Sequence, residues 1–180
     1  MKAKGKQTYT VSINWPQVDP SQHLSDIVWT IGDFSTFDIT KAFPSITKER
    51  LRNWLNAKAV TPTKEAGGQG GRASFTYMDV LAIHLYEQLL DHGLTGSLSS
   101  QIVAAFRKQR TSVAGQLLAI SEKIITRDSI EVIADVIDLR KDSPALSFPD
   151  DVEVTIILNL EVLIIRVLSA LDRVIREKKR

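Results

Sequence analysis

Residues 38–57 read DITKAFPSITKERLRNWLNA. The first six, DITKAF, have the composition of a short helix, and Pro44 stops it, since proline lacks an N–H and disfavours a helical residue before it. Ser45 to Thr47 make a turn. Thr47 is placed to cap a second helix running from Lys48 to about Ala57. Within that helix Leu51, Trp54 and Leu55 fall at i, i+3 and i+4 and form one apolar face, which assigns Trp54 to the core. Lys48, Arg52, Asn53 and Asn56 are left on other faces. Two short helices split by a tight turn have helix-turn-helix spacing.

The chain on the C-terminal side extends this unit. Ala59-Val60-Thr61 and Ala73-Ser74-Phe75 are short extended runs on either side of a loop holding Gly67, Gly68, Gly70 and Gly71. Such a pattern predicts a hairpin with a loose tip, that is, a wing. Thr76-x-x-Asp79 then opens a helix as a capping-box variant with Asp in place of Glu. Met78, Leu81, Leu85 and Leu89 run down one side of it, and His92-Gly93 closes it with glycine where a C-cap wants one. A further helix is predicted from near Ser99, carrying Ile102, Val103 and Phe106.

This order of elements resembles the DNA-binding domain of MerR-family regulators. That family shows a short helix, a recognition helix containing Leu-Arg-aromatic-aromatic, a wing, and a helix that opens with Asp and closes with Leu-Gly-aromatic. The chain has Leu51-Arg52-Asn53-Trp54, Thr61-Pro62 at the wing's entry, Gly70-Gly71-Arg72-Ala73-Ser74-Phe75 at its return, Asp79-Val80, and Asp91-His92-Gly93-Leu94. It departs from the pattern in having Asn53 for the first aromatic, Arg72 one place early, and one extra residue around Pro44-Ser45-Ile46. The likeness covers roughly 70 residues from Phe37 to Phe106.

The resemblance implies a sequence-specific regulator of transcription that binds double-stranded DNA as a homodimer. A recognition helix in the major groove presents its N-terminal turns to base edges. Lys48, Arg52 and Asn53 are the candidates for that work, because Arg pairs with guanine and Asn with adenine through two hydrogen bonds. Thr47 and Arg50 flank them, Lys41 on the preceding helix is placed for phosphate, and Lys64 and Arg72 on the wing suit phosphate or the minor groove. Phosphate contacts supply affinity and salt dependence and little sequence information.

Charge agrees with that placement. The net charge of the 180 residues is only +2, but residues 37–110 carry ten Lys+Arg against six Asp+Glu, whereas residues 111–180 carry ten against twelve. A local basic excess is what a nucleic-acid face needs. The absence of cysteine excludes disulfides and thiolate sites. His84 and His92 have no paired His at ligand spacing, so no metal and no cofactor is expected. The glycine run lacks a following Lys-Ser/Thr, and no nucleophile has a credible base, so an enzyme is not expected. The basic N-terminus has no apolar core of a secretory signal. The apolar stretch from Val152 to Val174 is broken by Asn159, Glu161, Arg166 and Asp172, so no membrane partner is expected and the location is read as cytoplasmic, associated with the nucleoid.

In the C-terminal part, Val113, Leu117, Ile120 and Ile124 repeat at four and three, which predicts an amphipathic helix as far as Ile125. Residues 130–139 are open between helix and strand. Val152, Val154, Ile156 and Leu158 alternate as in a strand. Leu160, Ile164, Val167, Leu171 and Val174 have the seam spacing of a coiled coil. By the resemblance they are assigned to a dimer contact. Nothing in residues 111–180 reads as a polar-lined ligand site, and an effector is left unspecified. Near the start, Thr8 to Ile13 suits a short strand.

The expected fold is therefore mainly α. It comprises an N-terminal arm or extension (1–36), a winged helix-turn-helix of three to four helices with a two-stranded wing (37–108), and a helical dimerisation or regulatory region with a possible short strand (109–180). Two other functions share the pattern. One is an excisionase-like or architectural DNA-binding factor, against which the long C-terminal segment argues. The other is a protein-interaction module whose helix-turn-helix binds no DNA.

Overall fold

A computed structural model of the chain describes residues 8–14, 31–63, 73–108, 116–126, 129–138 and 154–179. Among these residues helix outweighs strand, with five helices and four strands. They divide into two compact units, each discontinuous in sequence: one draws on residues 1–19 and 113–161, the other on 20–112 and 162–180. This partition differs from boundaries at 36/37 and 108/109.

The first unit is a four-stranded sheet. Its strands are β1 (Thr8–Asn14), β2 (Gln116–Thr126), β3 (Ser129–Asp138) and β4 (Val154–Asn159), in the order β1-β3-β2-β4. β3 and β2 are antiparallel, with Leu118 opposite Val136, and β2 and β4 are antiparallel, with Leu118 opposite Leu158. β1 is parallel to β3, pairing Thr8 with Ser129 through Asn14 with Asp135. The N-terminal extension thus supplies an edge strand.

The helix expected over 113–125 is not formed, since residues 116–126 are strand. The reason lies in the burial of Leu118, Ala119 and Ile120 in succession. Both faces of the strand are covered there, so the sequence shows a continuous apolar run, and such a run contains four-three spacings by accident. The segment 130–139, open in sequence, resolves as strand β3, and the alternation before Leu158 corresponds to β4.

The second unit contains α1 (Thr36–Ala42), α2 (Lys48–Asn56), α3 (Tyr77–Asp91), α4 (Gly96–Lys108) and α5 (Leu160–Lys178), of which residues 162–178 belong to it. α1 begins two residues before the expected Asp38, because Ser35 caps it. The amide of Ser35 donates to Asp38 Oδ2 at 2.8 Å and that of Asp38 to Ser35 Oγ at 3.3 Å, a reciprocal box that satisfies two otherwise orphaned donors. Thr47 caps α2 as expected, its Oγ1 accepting from the amide of Arg50. Thr76 and Asp79 form the expected box at α3. α4 starts three residues before Ser99. Ile39, Ile46, Leu51, Leu85, Leu89, Leu98, Ile102 and Phe106 are fully buried and make the core.

α2 and α3 end in the same way. After α3 the amides of Gly93 and Leu94 donate to the carbonyls of Leu90 and Leu89, and Gly93 has φ +91°. After α2 the amides of Lys58 and Ala59 donate to Leu55 and Trp54, with Lys58 at φ +53°. This is the Schellman stop, which needs a left-handed residue. Glycine occupies it at no steric cost in one case; in the other a lysine bears roughly 1 kcal/mol of strain.

The expected wing is only partly realised as drawn from sequence. The return run pairs with the segment before α1, Phe75 and Phe34 exchanging both backbone hydrogen bonds at 3.0 Å. Residues 59–63 form no strand. The tip, 64–72, lies outside the described residues. What fixes the base of this loop is Asp79, which is 1% exposed. Its carboxylate accepts from the amide and hydroxyl of Thr63, both at 2.9 Å, and from the amide of Thr76 at 2.9 Å. It also pairs with Arg107 of α4, whose guanidinium reaches Thr61 as well.

Removing the Asp79 carboxylate breaks the α3 capping box and leaves the Thr63 and Thr76 amides and the Arg107 guanidinium without their acceptor, together costing about 3 kcal/mol. Asp79→Ala should lower the stability of the helical unit by about that amount in denaturant unfolding, with residues 59–63 losing amide-exchange protection first. Lys58→Gly should stabilise by about 0.5–1 kcal/mol in the same assay.

Candidate functional site

α2 buries Leu51 and Trp54 and turns its remaining faces outward. Lys48, Arg52 and Asn53 are exposed. They fall within two turns from the capped end, at i, i+4 and i+5, so one side of the helix offers two cations and an amide. Thr47 is exposed, but its side-chain oxygen is committed to the cap.

The other cations named from sequence stand elsewhere. Arg50 turns back toward α3. Its Nη1 donates to the Ser45 carbonyl at 3.0 Å, lies 3.7 Å from Glu87 Oε1, and the guanidinium sits 5.0 Å over the Trp54 ring. Trp54 in turn meets Tyr86 edge-on at 5.2 Å. Arg50 therefore braces α2 against α3, work that a phosphate contact would have to displace. Lys41 is ion-paired to Glu177 of α5 at 2.7 Å. Lys64 and Arg72 lie outside the described residues.

A feature missed in sequence adjoins Lys48. Ser35, Thr36, Phe37, Thr40, Lys48 and Ala73 line a cleft of about 470 Å³. It joins the start of α1, the start of α2 and the return arm of the loop. Phe37 is 69% exposed there. The signal available in sequence was Phe37 beside Ile39: on a helix capped at Ser35 only one of the two faces the core, and Ile39 does.

The residues assigned to a dimer seam have another use. Leu160, Val167, Leu171 and Val174 are buried within the single chain, and Ile164 is half-buried. The apolar side chains that α5 exposes are Val162, Ile165 and Leu168. The end of α5 is tied to α1 by the Lys41–Glu177 pair and by Lys178, whose Nζ donates to Asp38 Oδ2 at 2.7 Å.

The buried carboxyls of Asp38 and Glu87 are shifted by their surroundings. Burial pushes the Asp38 carboxyl up, but the Lys178 hydrogen bond, the amide and hydroxyl of Ser35 and the Lys178 charge outweigh it and hold it below the usual range. Burial likewise raises Glu87, and hydrogen bonds from His84 and Ser45 with the charges of His84 and Arg50 bring it below the usual range.

Among the described residues, no group of three or more His, Asp or Glu side chains is gathered as metal ligands, and no helix is long and apolar enough to cross a membrane. No family model matches the sequence. No curated protein matches it either.

Both carboxyls titrate lower folded than unfolded. Their stabilisation is complete above the ordinary carboxylate range of about 4 and is lost as pH falls through that range toward the folded values. Thermal melting should therefore fall steeply below about pH 4.5, and Asp38→Asn should melt lower at pH 7 with a shallower acid decline.

Proposed function

We propose that the chain is a sequence-specific, double-stranded DNA-binding regulator of transcription of the MerR kind, with a winged helix-turn-helix in its helical unit. The observation that carries this reading is the free face of α2. Its capped N-terminal turns leave Lys48, Arg52 and Asn53 exposed, while its apolar residues and Arg50 fix the helix to the core. A helix held from behind with Arg and Asn in front meets the requirement for reading base edges in the major groove.

In this reading Arg52 and Asn53 contact bases. Lys48 neutralises phosphate or reads the adjoining base, and the loop with Lys64 and Arg72 reaches the flanking backbone. Phe37, beside Lys48, is suited to apolar contact with a thymine methyl. The protein acts as a homodimer on a near-palindrome with half-sites about one helical turn apart. The contact between subunits falls to Val162, Ile165 and Leu168, since the chain itself covers the buried stripe of α5.

Fluorescence anisotropy with a mixed-sequence duplex pool across salt, followed by sequencing of the bound fraction, tests this. The expected result is an affinity that falls steeply with salt, by about 0.9 log units per log unit of salt for each phosphate neutralised, and enrichment of a palindrome. Arg52→Ala should weaken specific binding at least about tenfold with unchanged melting, whereas Arg50→Ala should lower melting. Salt-sensitive binding without enrichment would support an architectural factor. Absence of binding would refute the reading and leave a protein-interaction module.

A further inference from the structure

On α5, Arg166 and Arg173 stand seven residues apart, about two turns, and so point to the same side. With Ser169 and Ala170 between them they form one wall of a cleft of about 420 Å³. The opposite wall is Phe43, at the end of α1, and His84 of α3. All of these residues belong to the helical unit.

The wall is built and held. The Phe43 and His84 rings stack with centroids 4.7 Å apart and planes 27° from parallel. His84 is 8% exposed and its Nδ1 meets Glu87 Oε2 at 3.1 Å. Glu87 is fully enclosed and ionised, so it accepts from Nδ1–H and orients the ring, leaving Nε2 as the remaining polar atom. The two arginines, by contrast, have no carboxylate partner among the described residues. The nearby acids on their own helix are engaged elsewhere: Asp172 with Arg176 at 2.8 Å, and Glu177 with Lys41 at 2.7 Å. An uncompensated pair of guanidiniums therefore stands opposite the stacked rings of Phe43 and His84, with the Ala170 methyl between the arginines on their own wall.

We propose that this cleft binds a small organic anion, its carboxylate or phosphate head taken by Arg166 and Arg173 with the Ser169 hydroxyl and its apolar body laid against Phe43 and Ala170. The volume lies in the range of small-molecule sites, which combine an apolar lining with a few placed polar groups. Guanidinium suits the head because its planar donors bond carboxylate or phosphate in pairs. A duplex backbone fits the place less well, for it presents charge along an extended rod and has no apolar body to fill a concave wall. The site does not depend on α2 meeting DNA.

The chain has three histidines, so their ring-proton NMR signals give a simple readout in the full-length protein. Benzoate and inorganic phosphate are titrated separately, without DNA, into the wild type and into an R166A/R173A variant whose substitutions lie at exposed positions. The expected result is a saturable shift of one histidine signal with benzoate, half-complete at millimolar concentration, and at least about tenfold weaker binding in the variant. Phosphate should bind more weakly than benzoate because it lacks the apolar body. No saturable shift with either anion, or an equal shift in the variant, would overturn the inference. A second arm measures duplex affinity of the variant by anisotropy. No change relative to wild type is expected. A loss as large as that of Arg52→Ala would assign the two arginines to a nucleic-acid surface and overturn the small-anion site.

Discussion

The buried carboxylate of Asp79 is the constraint on which the helical unit depends. A polar group out of water is tolerated only with its hydrogen-bonding capacity occupied. Here the occupants come from three places in the chain: Thr63 at the exit of α2's connection, Thr76 at the start of α3, and Arg107 near the end of α4. One side chain thus caps a helix, closes a loop and joins two helices. Arg107 extends the arrangement to Thr61. The base of the loop is fixed by charge and hydrogen bonds, where a longer strand pair would otherwise be needed.

The cations of the unit fall into two groups, and burial decides which. Arg50 and Lys178 serve the fold because each faces an acid that is almost fully enclosed, Glu87 and Asp38. Such acids must keep a positive partner, for the cost of exposing them unpaired inside the protein exceeds what a ligand contact returns. Lys48, Arg52, Arg166 and Arg173 face no enclosed acid and stay available. The Lys41–Glu177 pair is intermediate: both partners are about two-fifths exposed, a setting in which ion pairs contribute little, so Lys41 can exchange one partner for another at small cost.

What the sequence made legible was local. Thr47, the Thr76–Asp79 box and Gly93 each mark a helix end through chemistry within four residues, and each stands where it was expected. The exposure of Lys48, Arg52 and Asn53 followed from the position of Leu51 and Trp54. What stayed hidden was non-local. Phe75 pairs with Phe34 across 41 positions of chain, and Lys178 bonds Asp38 over a separation of 140. Neither leaves a periodic trace. The stretch from Leu117 to Ile124 failed for another reason. Leu118, Ala119 and Ile120 are buried in succession on both faces of β2, so the alternation that identifies strands is lost there, and the apolar residues fit a helix wheel as well. The stripe on α5 was a real apolar stripe, but periodicity tells only that a face is covered, not whether the cover is the same chain or a second one.

The sheet's residues 113–161 are inserted in sequence between α4 and the part of α5 that belongs with α1. During synthesis the ribosome therefore releases α1 to α4 long before their last helix exists. At about 5–20 residues per second, several seconds pass in which Asp38 has no Lys178 and the helices that α5 will later cover stay open to water. The interval is one in which the helical part of the molecule is held back from completion until the residues of the sheet have been synthesised.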